Sequence, residues 1–367
     1  MARRDGVVSR QATAGRARRR GALVAALAGA AALVPVVVWV IGPAAPEDGG
    51  RAAPTSAGVG APGAGRARSE PAGAVGSGRR PGGSATPAPE TAGTPPRGPI
   101  TDWAYQLQGY AGGRLDALAR GRYQLAVVDL ARDAGSDYFS PAEIGALRRS
   151  GKRVLAYFEI GSIENFRPEY PVLRRDAPDL LANEWPDWPG EYFGHYWDAR
   201  WWDRVVRPRV DQALRAGFDG VYLDTPLAYE EISLAEAGGR DRARLAAEMA
   251  ALITRISRYA KDRRPGFLIV PQNSPELRRQ RGYTAAIDGI GMEELFYLAT
   301  DEPCVRDWCA ENLADARALR DAGKFVLAVD YAVRAEHVRA ACDRYRAERF
   351  AGVVTVRALD RAPAACG

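Results

Sequence analysis

Short apolar and β-branched runs recur along the chain after residue 100, each closing on a polar or acidic residue and each followed by residues at helical spacing. The runs are Tyr105–Gln108, Leu125–Leu130, Arg153–Glu159, Gly220–Asp224, Phe267–Pro271, Ala286–Ile290, Phe325–Asp330 and Gly352–Val356. Amphipathic stretches lie between them, at Pro141–Ser150, Trp202–Ala216, Arg242–Asp262, Asn312–Ala322 and Ala335–Ala347. Gly151, Gly217 and Gly323 stand where such helices should stop. Parallel strands buried on both faces read as unbroken apolar runs, and VLAYF, GVYLD, FLIV and FVLAVD do so. Strand–helix units repeated eight times over residues 100–367 predict an α/β fold, a (β/α)8 TIM barrel. An open doubly wound sheet is the rival, but Gly109–Gly113 lacks the G-x-G-x-x-G spacing of a phosphate loop.

Charge divides the chain differently. Residues 1–99 carry 13 Arg against 5 acids, a balance of +8, which leaves −2 for the remainder of the 367 residues. The basic pI of 9.2 therefore belongs to the N-terminal part, and no nucleic-acid partner is implied for the folded part. Residues 21–42 are uncharged and long enough to cross a bilayer. Arg3, Arg4, Arg10, Arg16, Arg18, Arg19 and Arg20 precede them, which predicts a cytoplasmic basic tail at 1–20 and export of everything after residue 42. A cleaved signal peptide and an uncleaved transmembrane anchor both fit, so the expected location is extracytoplasmic, membrane-anchored or secreted. Residues 43–99 are rich in Pro, Gly, Ala and Ser and predict a disordered linker.

Cys304, Cys309, Cys342 and Cys366 all lie in the exported part, where disulfides persist. Three pairings are open. In one of them, Cys304–Cys309 closes a short loop and Cys342–Cys366 pins the C-terminus to the last helix. A zinc site is disfavoured by the C-x4-C spacing and by having only His195 and His337, so neither metal nor cofactor is expected.

In a TIM barrel the chemistry sits at the C-terminal strand ends. Those ends supply Gln108, Asp129, Glu159, Asp224, Asn273, Glu293 and Asp330, with Tyr297 and Tyr331 beside them. A strand-terminal Asp can simply cap the next helix, yet several carboxylates at one rim suit acid–base work. No G-x-S-x-G elbow occurs, and two histidines are too few for a histidine-rich metallohydrolase. Paired carboxylates with aromatic platforms remain, the toolkit of glycoside hydrolysis. The insertion after the third strand holds Trp185, Trp188, Tyr192, Phe193, Tyr196, Trp197, Trp201 and Trp202. Trp201 and Trp202 read as core, Trp185 or Trp188 as a sugar platform.

Eight motifs in order carry a family resemblance: Tyr105-Gln-Leu-Gln108, Val127-Val-Asp129, Ala156-Tyr-Phe-Glu-Ile-Gly-Ser-Ile-Glu-Asn-Phe-Arg-Pro168, Trp188-Pro-Gly-Glu191, Trp197-Asp-Ala-Arg200, Gly217-Phe-Asp-Gly-Val-Tyr-Leu-Asp224, Pro271-Gln-Asn273 and Glu293-Glu-Leu-Phe-Tyr297. Together they resemble glycoside hydrolase family 114, the endo-α-1,4-polygalactosaminidases. The resemblance implies a barrel that cleaves α-1,4-linked galactosamine polymers, with Asp224 as nucleophile and Glu293 as acid/base. Gln108, Asp129, Tyr157, Glu159, Glu164, Trp185, Trp188, Asn273, Tyr297, Asp330 and Tyr331 would then line the substrate, Asp129, Glu159, Glu164 and Asp330 holding hydroxyls or the amine. Many relatives have Asn after the strand-4 Asp, where this chain has Thr225-Pro226. A retaining route requires carboxyl groups about 5–5.5 Å apart. The surplus of carboxylates suits a cationic amino-sugar polymer as partner. Two other readings stay open, a non-catalytic, membrane-tethered polysaccharide-binding barrel and a hydrolase of neutral α-galactosides. The latter gains if the pocket carboxylates pair internally with Arg167 or Arg200.

Overall fold

The computed structural model describes residues 99–299, 301–364 and 366. The expected basic tail, the apolar segment at 21–42 and all but the end of the linker lie outside them. Eight parallel strands organise the chain: β1 (Trp103–Tyr105), β2 (Leu125–Asp129), β3 (Arg153–Glu159), β4 (Gly220–Asp224), β5 (Leu268–Pro271), β6 (Gly289–Glu293), β7 (Phe325–Tyr331) and β8 (Ala351–Thr355). The first five run side by side in chain order, as do the last three. A parallel bridge between Gln272 and Gly291 joins β5 to β6, and β8 lies against β1, giving a TIM-barrel-like ring.

The two-residue period of a strand explains the core. Alternate residues point inward, where Trp103, Tyr105, Leu125, Val127, Leu155, Tyr157, Tyr222, Val270, Leu327 and Val329 fill the ring. The others, including Ala104, Ala126, Val128, Ala156, Phe158, Leu223 and Ile269, face outward under the helices. These helices are α1 (Asp116–Arg120), α2 (Pro141–Arg149), α3 (Arg207–Ala216), α4 (Arg242–Arg263), α5 (Tyr283–Ala286), α6 (Asp307–Asp321) and α7 (Ala335–Glu348). Ser140 and Glu143 form a capping box on α2, with Pro141 in its first turn. Gly217 ends α3 at φ 83°, a left-handed conformation that costs glycine little. The third crossover is the long one. Between β3 and α3 it carries a small antiparallel sheet of Ser162–Glu164, Glu191–Gly194 and Leu181–Glu184.

Three sequence expectations shift. β1 ends at Tyr105, because the Leu107 and Gln108 amides donate to the Leu359 carbonyl in the C-terminal segment (2.9 and 3.3 Å). β6 begins three residues later than its hydropathy predicts and carries Glu293 as its last residue. Its Gly-Ile-Gly-Met start has low strand propensity, and close packing dictates it: a Cβ on Gly291 would run into the Tyr222 hydroxyl. No helix follows β8 among the described residues, so seven strand–helix units and a final strand replace the expected eight.

Cys304–Cys309 and Cys342–Cys366 are the disulfides. The second ties the C-terminal segment to α7 across a separation of 24 residues, against 5 for the first. Loop-closure entropy gives about 3–4 kcal/mol for the longer loop and about 2 for the shorter. Cys342→Ser should therefore lower the denaturation midpoint more than Cys304→Ser, as urea titration of the two variants will measure.

Candidate active site

β4 and β6 each end on a carboxylate at the C-terminal mouth, Asp224 and Glu293. The residue after each leaves the strand in the left-handed region, Thr225 at φ 60° and Glu294 at φ 56°; Asn273 and Ser274 after β5 do the same at 58° and 49°. Non-glycine residues there store strain, and their clustering at one mouth marks a site the surrounding structure over-determines. Asn tolerates this conformation better than a β-branched residue such as Thr225. Thr225 is held instead by its hydroxyl, which accepts from the Gly161 amide (3.0 Å) and Ser162 Oγ (2.9 Å).

Asp224 accepts the Tyr157 hydroxyl on Oδ2 and the Thr225 amide on Oδ1 (2.7 Å). Glu293 accepts Asn273 Nδ2 on Oε2 at 2.9 Å, shares that oxygen with Gln272 Nε2, and accepts the Tyr331 hydroxyl on Oε1. Its backbone N–H donates back to Asn273 Oδ1 (3.0 Å), so the Asn273 side chain grips both ends of the residue. Tyr105 donates to Gln272 Oε1 (3.1 Å) and packs on Tyr157 and Tyr222, making an aromatic floor between the two acids. Burial pushes the Asp224 carboxyl up to about 7, and the charge of Glu293 is the next cause. Burial likewise takes Glu191 to about 8, with Asp224 the second cause, and Glu294 to about 7, with Glu293 the second.

The structure corrects several expected substrate contacts. Asp129 is 2% exposed and Glu159 1%, and both are spent on Arg167. The two Arg167 terminal nitrogens take the two Asp129 oxygens at 3.1 Å each, and its Nε takes Glu164 at 2.8 Å. Arg209 adds a second cation, on Glu159 (3.0 Å) and Glu169 (3.0 Å). Burial opposes the charge on Glu159, but the two guanidiniums outweigh it and hold the carboxyl at about 2. Glu164 alone of the three keeps an open edge, with its side chain 25% exposed, and burial followed by the Glu159 charge raises it well above its ordinary value. Asp330 is fully buried, accepting the Phe296 and Tyr297 amides (3.0 and 3.2 Å) and the Tyr345 hydroxyl (2.5 Å). These bonds fix the loop after β6 to the end of β7. Tyr297 is buried beneath His337, whose ring stacks on it at 4.5 Å. Gln108 is exposed on the loop after β1 and donates to the Ala358 carbonyl (2.7 Å).

Among the aromatics, Trp201 (0% exposed) and Trp202 (3%) are core, as their helical position predicts. Trp185 is half-buried on Phe193, its ring edge toward Trp188. Trp188 is 44% exposed, with the Arg357 guanidinium 4.8 Å above its ring. Sequence reasoning singled out neither Gln272, Glu191, Tyr105 nor Tyr222, although all four sit inside the quoted motifs. Arg209, on a helix face, left no such signal.

A parallel α/β ring with two supported carboxylates at its mouth has the working parts of a glycoside hydrolase. A model of Glycoside-hydrolase family GH114 matches residues 83–367, and the chain belongs to that family. It is 35% identical over 263 residues to an uncharacterized protein of Deinococcus radiodurans, covering 71% of this chain and 82% of that one. An uncharacterized protein of Thermotoga maritima is 33% identical over 237 residues, 64% and 71% of the two chains. Among solved structures, Aspergillus fumigatus Ega3 in complex with galactosamine superposes with TM-score 0.55 at 20% identity, over 71% of this chain and 94% of Ega3. The glycoside hydrolase domain of PelA from Pseudomonas aeruginosa does so with TM-score 0.56 at 16% identity, over 72% and 97%. At such identities the likeness establishes the fold. The protein is a glycosidase.

The raised Asp224 carboxyl has a thermodynamic consequence. A folded-state value of about 7, above the ordinary 3.8, gives stability that is complete below about pH 4 and lost as pH rises through 7. Asp224→Asn removes that loss. Its melting temperature should exceed wild type by about 3 °C or more at pH 8, and the gap should close toward pH 5, as paired thermal melts will measure.

Proposed function

We propose that this chain is an extracytoplasmic hydrolase of α-1,4-linked galactosamine-containing polysaccharide, working through Asp224 and Glu293. The observation that carries the reading is the coupling of the two acids: each has its own set of donors, yet the charge of Glu293 still raises Asp224. Burial is the first cause of the Asp224 rise and the Glu293 charge the second, so a proton on Glu293 removes that second cause and favours ionised Asp224. With the proton on Glu293, the acid donates to the glycosidic oxygen while ionised Asp224 attacks the anomeric carbon. The C–O bond to the leaving sugar breaks as the bond to Asp224 forms. Water, deprotonated by Glu293, then releases the sugar with net retention. Tyr157 keeps one Asp224 oxygen hydrogen-bonded and leaves the carboxylate aimed at the mouth.

The preference for an amino sugar rests on the acids that no arginine neutralises. Arg167 pairs with Asp129, Glu159 and Glu164, which removes three carboxylates from that argument and favours a neutral α-galactoside as the second reading. Arg200 does not contribute, since it pairs with Asp179 and Asp198 at the surface. Asp224, Glu191, Glu293 and Glu294 remain without a paired arginine among the described residues, and burial raises the proton affinity of Asp224, Glu191 and Glu294. A bound ammonium group supplies a cation and lowers that affinity. Both disulfides and the arginine-flanked apolar segment support location outside the cytoplasm.

Reducing-end release decides between the readings. Wild type should cleave an α-1,4-galactosamine polymer, with kcat/KM rising as pH rises toward about 7, where Asp224 ionises to the attacking carboxylate. Asp224→Asn and Glu293→Gln should each lower kcat by about 10³-fold or more with the far-ultraviolet circular dichroism unchanged. Turnover of neutral α-galactosides alone would replace the substrate, and binding without turnover would make the barrel a polysaccharide-binding module.

A further inference from the structure

Glu191 is a buried acid that the chemistry of Asp224 and Glu293 leaves unused. It sits on the middle strand of the insertion sheet, opposite Glu164. Its Oε1 meets the Ser162 hydroxyl, which also lies 2.9 Å from Thr225 Oγ1. Thr225 Oγ1 accepts the Gly161 amide at 3.0 Å and donates to the Asp224 carbonyl at 2.8 Å. Glu191, Ser162 and Thr225 are all buried, so water does not stand in for a missing partner at little cost. A Cβ on Gly161 would run into the Thr225 carbonyl, which makes this a close approach of the insertion to the end of β4.

The protons give this row a direction. A hydroxyl has one proton to donate and room to accept two. Thr225 spends its proton on the Asp224 carbonyl, so its contact with Ser162 takes the Ser162 proton. Ser162 then has none for Glu191, and that contact closes when Glu191 brings the proton itself. An ionised Glu191 draws the Ser162 proton the other way, and Thr225 Oγ1 keeps the Gly161 amide as its one donor. Thr225 is a β-branched residue at φ 60°, a conformation that lasts where its neighbours over-determine it. Its amide also holds Asp224 Oδ1, so a loosened Thr225 is a loosened nucleophile.

We propose that protonated Glu191 is a positioning residue for Asp224, acting through the Ser162 and Thr225 hydroxyls to hold the turn after β4. This rests on the hydrolase reading above and adds to it a residue outside the acid pair. Burial, then the Asp224 charge, pushes the Glu191 carboxyl up to about 8. Asp224 from β4, Glu159 from β3 and Glu164 from the paired strand of the insertion face it with like charge, and Arg167 with the opposite one. The row therefore points toward Asp224 at neutral pH and reverses above about 8.

Two measurements on the intact chain test the assignment. The first follows kcat and KM on the α-1,4-galactosamine polymer across neutral and alkaline pH, each variant taken relative to wild type so that the polymer's own titration cancels. At neutral pH, Glu191→Ala and Ser162→Ala should each lower kcat by about 10-fold with KM little changed. Glu191→Gln, whose amide donates to Ser162 at every pH, should recover most of that loss and overtake wild type above pH 8, where wild type loses the Glu191 proton. A ratio of Glu191→Gln to wild type that is flat in pH overturns the proposal. So does a rise in KM with kcat unchanged, which would make Glu191 a substrate contact. The second measurement needs no turnover. In an Asp224→Asn background, the nuclear magnetic resonance signal of the Gly161 amide should titrate at or below about pH 8, since the Asp224 charge is gone, and stand still once Glu191→Gln or Ser162→Ala is added. A Gly161 signal that ignores Glu191 and Ser162 sinks the positioning role alone. That titration in a protein whose wild type cleaves nothing supports the hydroxyl row and sinks the hydrolase reading alone.

Discussion

A carboxyl desolvated at the mouth within reach of a second acid's charge is unfavourable for folding, and the hydrogen bonds around Asp224 and Glu293 answer to that cost. Asp224 and Glu293 end strands that belong to separate ladders, joined at a bridge between Gln272 and Gly291. Each acid is surrounded by donors that hold it in place without neutralising it: Tyr157 and a backbone amide for one, Gln272, Asn273 and Tyr331 for the other. Neutral donors are the physically appropriate choice. A guanidinium in either place would fix the carboxylate equally well but would lower its proton affinity, and proton exchange near neutrality is what acid–base work requires.

The contrast with Asp129 and Glu159 is instructive because all four acids end ring strands. Asp129 and Glu159 meet Arg167 and Arg209 and become part of a buried ionic cluster that fixes the long crossover after β3 to the ring. Removing one partner from such a cluster leaves an uncompensated buried charge, so it holds together as a unit. A carboxylate at a strand end of the same fold thus sits in an ionic cluster on one side of the mouth and among neutral donors on the other. Whether an arginine lies within reach makes the difference.

That distinction limits what the chain reveals when read as a string. The strands were legible because fully buried parallel strands leave unbroken apolar runs, and β2, β3 and β4 start and stop within a residue or two of those runs. β6 was less so, since Gly289 answers to Phe325 on the neighbouring strand and Gly291 to Tyr222 inside the ring, and not to local propensity. That Asp224 and Glu293 lie at strand ends was legible in their motifs. The ionic partners of Asp129 and Glu159 were half hidden: Arg167 lies in the same motif as Glu159, whereas Arg209 lies 50 residues from it along the chain. Asp330 was misread because its partners, the Phe296 and Tyr297 amides and the Tyr345 hydroxyl, come from a loop and a helix on either side of it in the chain. Strand-end position tells where a side chain can point, and only the neighbours brought in by other elements tell what it is spent on.

The aromatic residues extend the same logic to the rim. Trp188 is the exposed tryptophan of the insertion, and taken alone its exposure suggests a flat surface for a sugar ring. The chain instead brings Arg357 across from the far end of the sequence and lays it on that ring. An exposed cation–π pair is worth only about 0.5–1 kcal/mol, too little to account for folding but enough to bias where a flexible guanidinium spends its time. Raised acids without a paired arginine inside and an exposed cation at the edge, whose charge reaches Asp187 and Glu294, place both signs of charge along one mouth.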